Sequence, residues 1–235
     1  MKVEIWSDIM CPFCYIGKRK FEAALEQFPG KDKIEVEWKS FQLNPDMKPQ
    51  PGKDVYDYVA DIKGQSRDWS LQIHEQMTNT AKEVGLTYNF DKAVIANSFD
   101  AHRLIQLAKQ QQLGDAAEER LFRAYFTEGK DMSDHATLIE LGGEIGLSKE
   151  AVAAMLQSGD LATEVNKDCR EAQQLGASGV PFFVLDRKYG VAGAQPVGAF
   201  SQALSQAFGE WQQTQPLTTL ETVSGPVCTP DGECK

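Results

Sequence analysis

The sequence predicts an α/β fold in which a long all-helical segment separates two strand-forming parts. Near the start, β-branched and aromatic residues at positions 3–7 and alternating residues at positions 34–41 indicate two strands with a helix between them. Near the end, short apolar runs at positions 182–185 and 189–192 indicate a β-hairpin. Between these parts the apolar residues have helical spacing and no convincing strand pattern.

These patterns divide the chain into three units. Residues 2–44 and 160–211 are predicted to form one discontinuous α/β domain, closed by a helix at residues 200–211. Residues 45–159 are predicted to form the helical insertion. Residues 212–235 are polar and contain proline, threonine and glycine, so we expect a flexible C-terminal tail.

Composition places the chain among ordinary globular proteins and disfavours some classes of partner. Of its 235 residues, 42% are hydrophobic and 25% are charged, which suits one well-buried core with a sizeable insertion. The net charge of -10 repels phosphate backbones and anionic head groups, so we expect neither nucleic acid nor membrane as a partner. The start of the chain lacks the basic and apolar regions of a signal peptide, which predicts a cytoplasmic protein.

The strongest chemical signal is the segment Cys11-Pro12-Phe13-Cys14 at the predicted helix start. Unpaired N–H groups and the positive end of the helix dipole face the first sulfur at such a position, which favours thiolate over thiol. Cys11 is therefore the predicted attacking thiolate and Cys14 the resolving thiol of a redox centre. The same spacing also occurs in zinc half-sites and in structural cysteines, but the position between a strand and a helix favours redox chemistry.

A second signal is the proline in Gly179-Val180-Pro181-Phe182, at the start of a predicted strand. We expect a cis Val180–Pro181 peptide bond near Cys11, because proline is the residue for which the cis form costs little. The backbone of Val180 then faces an extended substrate. Taken alone, such a proline is more often an ordinary trans residue that opens a strand.

Four segments follow one another along the chain in a recognisable order. They are W-S-D-I-M-C-P-F-C-Y-I-G (residues 6–17), F-Q-L-N-P (41–45), N-S-F-D-A-H-R (97–103) and G-V-P-F-F (179–183). Together they resemble the FrnE-type branch of the DsbA family over about residues 2–211. The resemblance implies a thioredoxin-like fold with an inserted all-helical subdomain. It also implies that Cys11 and Cys14 are the redox pair and that Pro181 is the cis-proline beside them.

The resemblance implies a thiol–disulfide oxidoreductase that acts on protein or small thiol substrates. Its implied partners are protein thiols and disulfides, with glutathione or a thioredoxin-type protein as reductant. It implies no cofactor beyond the redox-active disulfide Cys11–Cys14, with glutathione as a candidate co-substrate. DsbA carries histidine where this chain has Phe13, which implies a less oxidising centre.

An alternative function follows from the same resemblance. The 2-hydroxychromene-2-carboxylate isomerases and kappa-class glutathione transferases share this scaffold, which leaves open a glutathione-dependent isomerase or transferase. These relatives generally carry serine at the position of Cys11. The intact cysteine pair of this chain therefore favours disulfide exchange.

Three further side chains have candidate roles. Asp8, three residues before Cys11, is a candidate proton shuttle for Cys14, although a carboxylate there also suits turn hydrogen bonds. His102 is a candidate for the cleft between the insertion and the α/β domain, although a single helical histidine is more often structural. Cys169 falls on an apolar helical stripe, which predicts a buried, inert thiol.

Cys228 and Cys234 form a second close pair near the end of the chain. The Pro-Asp-Gly turn between them can bring the thiols within disulfide range, and the tail is long enough to reach Cys11. One hypothesis is a second redox pair that exchanges with the first, and the other is a pair of bystanders. A non-enzymatic hypothesis is a zinc site in which Cys11 and Cys14 bind the metal together with Cys228 and Cys234. We favour the enzyme and predict no bound metal.

Overall fold

The computed structural model describes residues 1–50 and 52–214. These residues form nine α-helices and one four-stranded sheet. None of the described helices combines the length and apolar character that a bilayer crossing requires. In chain order the elements are β1 (Lys2–Ser7), α1 (Pro12–Glu26), β2 (Glu35–Ser40), α2 (Val55–Lys63), α3 (Arg67–Glu83), α4 (Phe99–Lys109), α5 (Gly114–Phe126), α6 (His135–Glu144), α7 (Lys149–Gln157), α8 (Ala162–Gln174), β3 (Phe182–Leu185), β4 (Tyr189–Ala192) and α9 (Val197–Thr214).

The sheet has the strand order β2-β1-β3-β4. α1 connects β1 to β2, which pair in parallel, whereas β3 pairs antiparallel with both β1 and β4. Ile5 on β1 lies opposite Trp38 on one side and Phe183 on the other. All residues of β1 after Lys2 are buried, as expected for a central strand covered on both faces. The predicted fold class, an α/β fold with inserted helices, is confirmed.

Helix α1 is packed by two different hydrophobic cores. Its first turns contribute Cys14, Tyr15 and Ile16 to a core made mainly by the inserted helices. Its later turns contribute Phe21 and Ala24 to the core formed with the sheet and α9. Because one rigid helix belongs to both cores, the insertion and the sheet hold the start of α1 in a fixed position.

A buried carboxylate joins the inserted helices to the sheet at a second point. Asp168 on α8 accepts hydrogen bonds from the backbone N–H of Ser40 (3.0 Å) and from the side-chain amide of Gln106 on α4 (2.7 Å). Lys39 Nζ lies 3.3 Å from the other carboxylate oxygen. Since a buried charge needs partners, these contacts hold α8, α4 and β2 together.

The closing helix is longer than the sequence pattern predicts. α9 spans Val197–Thr214 instead of residues 200–211, so it includes the first residues of the predicted tail at 212–235. Apolar spacing marks only the buried part of a helix, and polar residues continue the backbone hydrogen bonds beyond it. Residues 215–235 lie outside the described residues, and with them Cys228 and Cys234.

We expect Asp168→Ala to destabilise the protein by about 3 kcal/mol, because it leaves the Ser40 N–H buried without an acceptor and removes one of the two acceptors of the Gln106 amide. Urea unfolding followed by circular dichroism measures the change. The control is Glu164→Ala on the exposed face of α8, which should cost less than about 1 kcal/mol. Equal losses in the two variants would contradict the role given to Asp168.

Candidate active site

Cys11 is the N-cap residue of α1. Its backbone is extended, with φ -92° and ψ 113°, and Pro12 occupies the first helical position. Proline suits that position because the missing N–H has no intrahelical acceptor there. The first-turn N–H groups and the positive end of the helix dipole lie beside an N-cap side chain, which favours negative charge. The structure thus places the predicted nucleophile at the predicted helix start.

The loop before β3 brings Val180 and Pro181 to this helix start. The Val180–Pro181 peptide bond is cis, as predicted. The Cys11 thiol donates a hydrogen bond to the Val180 carbonyl oxygen, with a sulfur–oxygen distance of 3.5 Å. Segments 169 residues apart in the sequence therefore meet at one site.

Cys14 lies one turn further into α1 and is only 1% exposed. Burial raises the pKa of the Cys14 thiol well above its usual value, and its hydrogen bond to Cys11 raises this pKa further. The Asp8 backbone and the Ser7 hydroxyl act in the opposite direction. The second cysteine is therefore held as a buried thiol behind the first.

Aromatic residues line the side of the site that faces the insertion. The Tyr88 hydroxyl donates a 2.7 Å hydrogen bond to the carbonyl oxygen of Pro12. Burial raises the pKa of Tyr88, and the charge of a Cys11 thiolate raises it further. Phe13, between the two cysteines, is 45% exposed and forms an apolar rim. No local sequence pattern identifies Tyr88 as part of the site.

Gly17 lets α1 approach Pro181 closely, a role that was not predicted from the sequence. A Cβ atom at position 17 would lie 2.9 Å from Cγ of Pro181 and 3.5 Å from Cζ of Phe183. The first distance is shorter than normal contact, so a side chain here would push the proline away. Glycine inside a helix costs about 1 kcal/mol relative to alanine, and this is the signal that could have pointed to a packing role.

Asp8 and His102 form a buried pair behind the start of α1. The Asp8 carboxylate accepts a hydrogen bond from the backbone N–H of Met10 (3.1 Å), which is a turn interaction of the predicted kind. It also accepts one from the backbone N–H of Leu43 (2.7 Å), which joins this loop to the segment after β2. His102 Nε2 lies 3.4 Å from Asp8 Oδ1. The expectation that His102 lines an open cleft is corrected, because it is 0% exposed. α4 packs this face against the loop that follows β1, and the ring is enclosed there.

Glu118 on α5 is a buried ionisable residue that was not predicted. It is 1% exposed, and neither carboxyl oxygen has a hydrogen-bond partner among the described residues. Burial raises its pKa well above the ordinary carboxyl value, an effect that Lys18 opposes and that Asp115 and Asp8 reinforce. Glu118 therefore stays the neutral acid to a higher pH than an exposed glutamate does.

Cys169 is partly exposed, which corrects the prediction of a fully buried thiol. Its thiol donates to the carbonyl oxygen of Ser40 at 3.6 Å, and burial raises its pKa. Among the described residues, no group of three or more His, Cys, Asp or Glu side chains is arranged to hold a metal ion. The zinc hypothesis also needs Cys228 and Cys234, which lie outside the described residues.

A four-stranded mixed sheet with a cysteine pair at a helix start and a facing cis-proline defines the class of thioredoxin-like proteins. The model of the DSBA-like thioredoxin domain family matches residues 2–205. This chain belongs to that family. Membership supports an enzyme of the oxidoreductase and isomerase classes.

Known relatives are similar over nearly the whole chain. The Bacillus subtilis (strain 168) protein YwbO is 30% identical over 207 residues, which are 86% of this chain and 95% of YwbO. The crystal structure of the probable DsbA oxidoreductase SCO1869 from Streptomyces coelicolor is 41% identical, with 100% of this chain and 98% of that chain covered and a TM-score of 0.83. The cytosolic disulfide reductase DsbM from Pseudomonas aeruginosa is 21% identical, with 91% and 98% covered and a TM-score of 0.61, a likeness of fold alone.

We expect Gly17→Ala to destabilise the protein by about 1–3 kcal/mol, because the new methyl group overlaps the ring of Pro181. The matched control is Gly209→Ala in α9, where a Cβ atom meets nothing within 4 Å. That variant should gain about 0.5–1 kcal/mol from helix propensity. Thermal and urea unfolding measure both changes, and similar gains in the two variants would contradict the close approach at position 17.

We expect Glu118→Gln to raise the free energy of unfolding at neutral pH. Because the pKa of Glu118 is raised in the folded state, the folded protein binds this proton more tightly than the unfolded chain does. The stability that this proton contributes is therefore fully present below the unfolded-state pKa and is lost as the pH rises. The difference in the free energy of unfolding between Glu118→Gln and the unmodified protein should therefore be absent below about pH 4. Above that pH it should grow by up to about 1.4 kcal/mol per pH unit. Urea unfolding from acid to neutral pH tests this, with the exposed Glu164→Gln as control. An advantage that does not change with pH would contradict the burial effect.

Proposed function

We propose that this protein is a thiol–disulfide oxidoreductase that exchanges disulfides through Cys11 and Cys14. The observation that carries the proposal is the asymmetry of the pair. Cys11, which is 5% exposed, caps a helix beside the Val180 carbonyl, whereas Cys14 is 1% exposed and lies one turn behind it, where burial raises the pKa of its thiol. Helix starts favour thiolates, and the thiolate is the form that attacks disulfides.

Reduction of a substrate takes two exchange steps. In the first, an electron pair of the Cys11 thiolate forms a bond to one substrate sulfur, and the other substrate sulfur leaves as a thiolate. In the second, Cys14 loses its proton and its sulfur attacks Cys11. The mixed disulfide breaks, the Cys11–Cys14 disulfide forms, and the remaining substrate sulfur leaves with its electron pair. The substrate gains the two electrons that the cysteine pair gives up, and oxidation is the reverse.

Protein thiols and disulfides are the proposed substrates. The cis-linked Val180 and Pro181 lie beside the reactive sulfur, and their backbone suits an extended segment of polypeptide. The exposed ring of Phe13 offers an apolar contact next to it. Exchange with a small thiol follows the same chemistry at this sulfur, so glutathione is a candidate co-substrate.

Glutathione or a thioredoxin-type protein is the proposed reductant that resets the pair, and the cytoplasm is the proposed location. The cytosolic disulfide reductase DsbM from Pseudomonas aeruginosa, which shares the fold, supports this location. The net charge of -10 makes nucleic acid and membrane surfaces poor partners. A glutathione-dependent isomerase or transferase has no use for a buried second thiol, so the position of Cys14 favours disulfide exchange.

We expect Cys11→Ser to abolish disulfide exchange, because it removes the attacking sulfur. Cys14→Ser should retain the attack but not the resolution, so substrates accumulate as mixed disulfides with Cys11. Insulin reduction and non-reducing electrophoresis followed by peptide mapping measure the two outcomes. The matched control, Cys169→Ala, should retain the exchange rate of the unmodified protein.

The same assignment predicts unequal alkylation of the two thiols. At about pH 6, iodoacetamide should modify Cys11 well before Cys14, because thiolates react and the Cys14 thiol is buried. Equal modification rates, or mixed disulfides trapped on Cys14 instead of Cys11, would overturn the assignment of nucleophile and resolving thiol.

A further inference from the structure

The space behind Cys14 contains an unusual concentration of buried polar side chains. Ser7, Asp8, His102 and Glu118 are all buried, and they come from β1, the loop after it, α4 and α5. Neither nitrogen of His102 and neither oxygen of Glu118 makes a well-formed hydrogen bond within the described part of the chain. Buried polar atoms are nearly always satisfied in folded proteins, so orphans of this kind call for a role.

Asp8 connects this group to the active site. Its backbone carbonyl accepts a 2.9 Å hydrogen bond from the Cys11 N–H, and its backbone acts directly on the Cys14 thiol, as does the Ser7 hydroxyl. Its carboxylate is fixed by two backbone N–H groups and lies 3.4 Å from the His102 ring. Asp8, which carries this carboxylate beside the imidazole, therefore reaches the Cys14 thiol through its backbone.

Glu118 shares a face of α5 with Asp115, which lies one turn nearer the helix start and is 66% exposed. Lys18 Nζ on α1 lies 3.0 Å from the Asp115 carboxylate. The charges of Lys18, Asp115, Asp8 and Lys109 act on the Glu118 carboxyl group, and Asp8 also acts on the buried Tyr125 of α5. α4, which carries His102, packs against α5, which carries Glu118.

We propose that His102 and Glu118, both supplied by the inserted helices, form with Asp8 the route by which the buried Cys14 thiol exchanges its proton with solvent. The inference rests on the proposed oxidoreductase function and assigns residues to its second step. Asp8 and His102 receive the proton, and Glu118 passes it toward Lys18 and Asp115. Ordered water, which orphaned buried polar atoms bind, completes the path.

The proton balance of the second step requires such a route. As the Cys14 sulfur attacks Cys11, a sulfur–sulfur bond forms, the mixed disulfide breaks and the substrate thiolate leaves with the electron pair. The Cys14 proton is left over in a site with no exposed base. In the reverse direction, the Cys14 thiolate released on reduction of the pair needs a proton. A carboxyl group that stays neutral to a higher pH than usual is suited to donate it.

The two steps are separated by reaction with an aromatic disulfide that releases one coloured thiolate per exchange. Attack by Cys11 releases the first, and resolution by Cys14 releases the second. The full chain is used with Cys169→Ala, Cys228→Ser and Cys234→Ser, so that only the active-site pair reacts. Stopped-flow absorbance is recorded from about pH 6 to about pH 10. Glu118→Gln and His102→Gln are compared with Glu118→Asp and with the surface control Glu164→Gln.

We expect Glu118→Gln and His102→Gln to leave the first phase unchanged and to slow the second by at least about tenfold near neutral pH. At high pH the second phase of both variants should become as fast as that of the unmodified protein, because hydroxide removes the Cys14 proton without the relay. Glu118→Asp keeps a titratable carboxyl and should recover most of the rate. Glu164→Gln should match the unmodified protein in both phases.

Two results would overturn the inference. One is a second phase in Glu118→Gln and His102→Gln that matches the unmodified protein at every pH. The other is an equal slowing of both phases, which indicates a general structural effect. If the unmodified protein itself releases no second thiolate, the proposed function fails as well, so the two failures are distinguishable.

Discussion

The first two turns of α1 are held between the sheet and the inserted helices, and the geometry of the active site depends on this packing. The insertion packs Cys14, Tyr15 and Ile16, and the sheet packs Phe21 and Ala24 further along the same helix. The helix start, where negative charge is favoured, is therefore fixed relative to the loop that carries the cis-proline. Movement of either core would change the distance between the Cys11 sulfur and its neighbours.

The contact between α1 and α5 is polar as well as apolar. Lys18 is buried against α5, where its Nζ lies 3.0 Å from Asp115 and 3.4 Å from Glu119. The Tyr15 hydroxyl donates a 2.6 Å hydrogen bond to Glu119. A buried ammonium group is tolerated only with such partners, so these contacts orient α5 on α1. The same docking buries Glu118 on α5. In the proposed relay, the insertion thus contributes chemistry to the site as well as packing.

Sequence patterns predicted those features that depend on a few neighbouring residues. The local features are strand periodicity, proline at the first helical position and the cysteine spacing. They predicted the strands of the sheet and the position of Cys11 at the start of a helix. The cis bond before Pro181 was predicted because the resemblance supported it. Features that depend on tertiary contact were missed. Glu118 and Glu119 are adjacent and chemically identical, yet one is buried without a hydrogen-bond partner among the described residues and the other is bonded to Tyr15. Only the docking of α5 separates them, and the enclosure of His102 has the same origin.

The central claim is that Cys11 and Cys14 act as one two-electron redox couple. The most direct test is to equilibrate the full-length protein with glutathione buffers of graded potential and to quantify each cysteine state by mass spectrometry after acid quenching. The account predicts that the Cys11–Cys14 disulfide and the dithiol interconvert over a single transition, with about 30 mV per tenfold change in their ratio. A stable glutathione adduct on Cys11 across the whole range, with no Cys11–Cys14 disulfide formed, would contradict it.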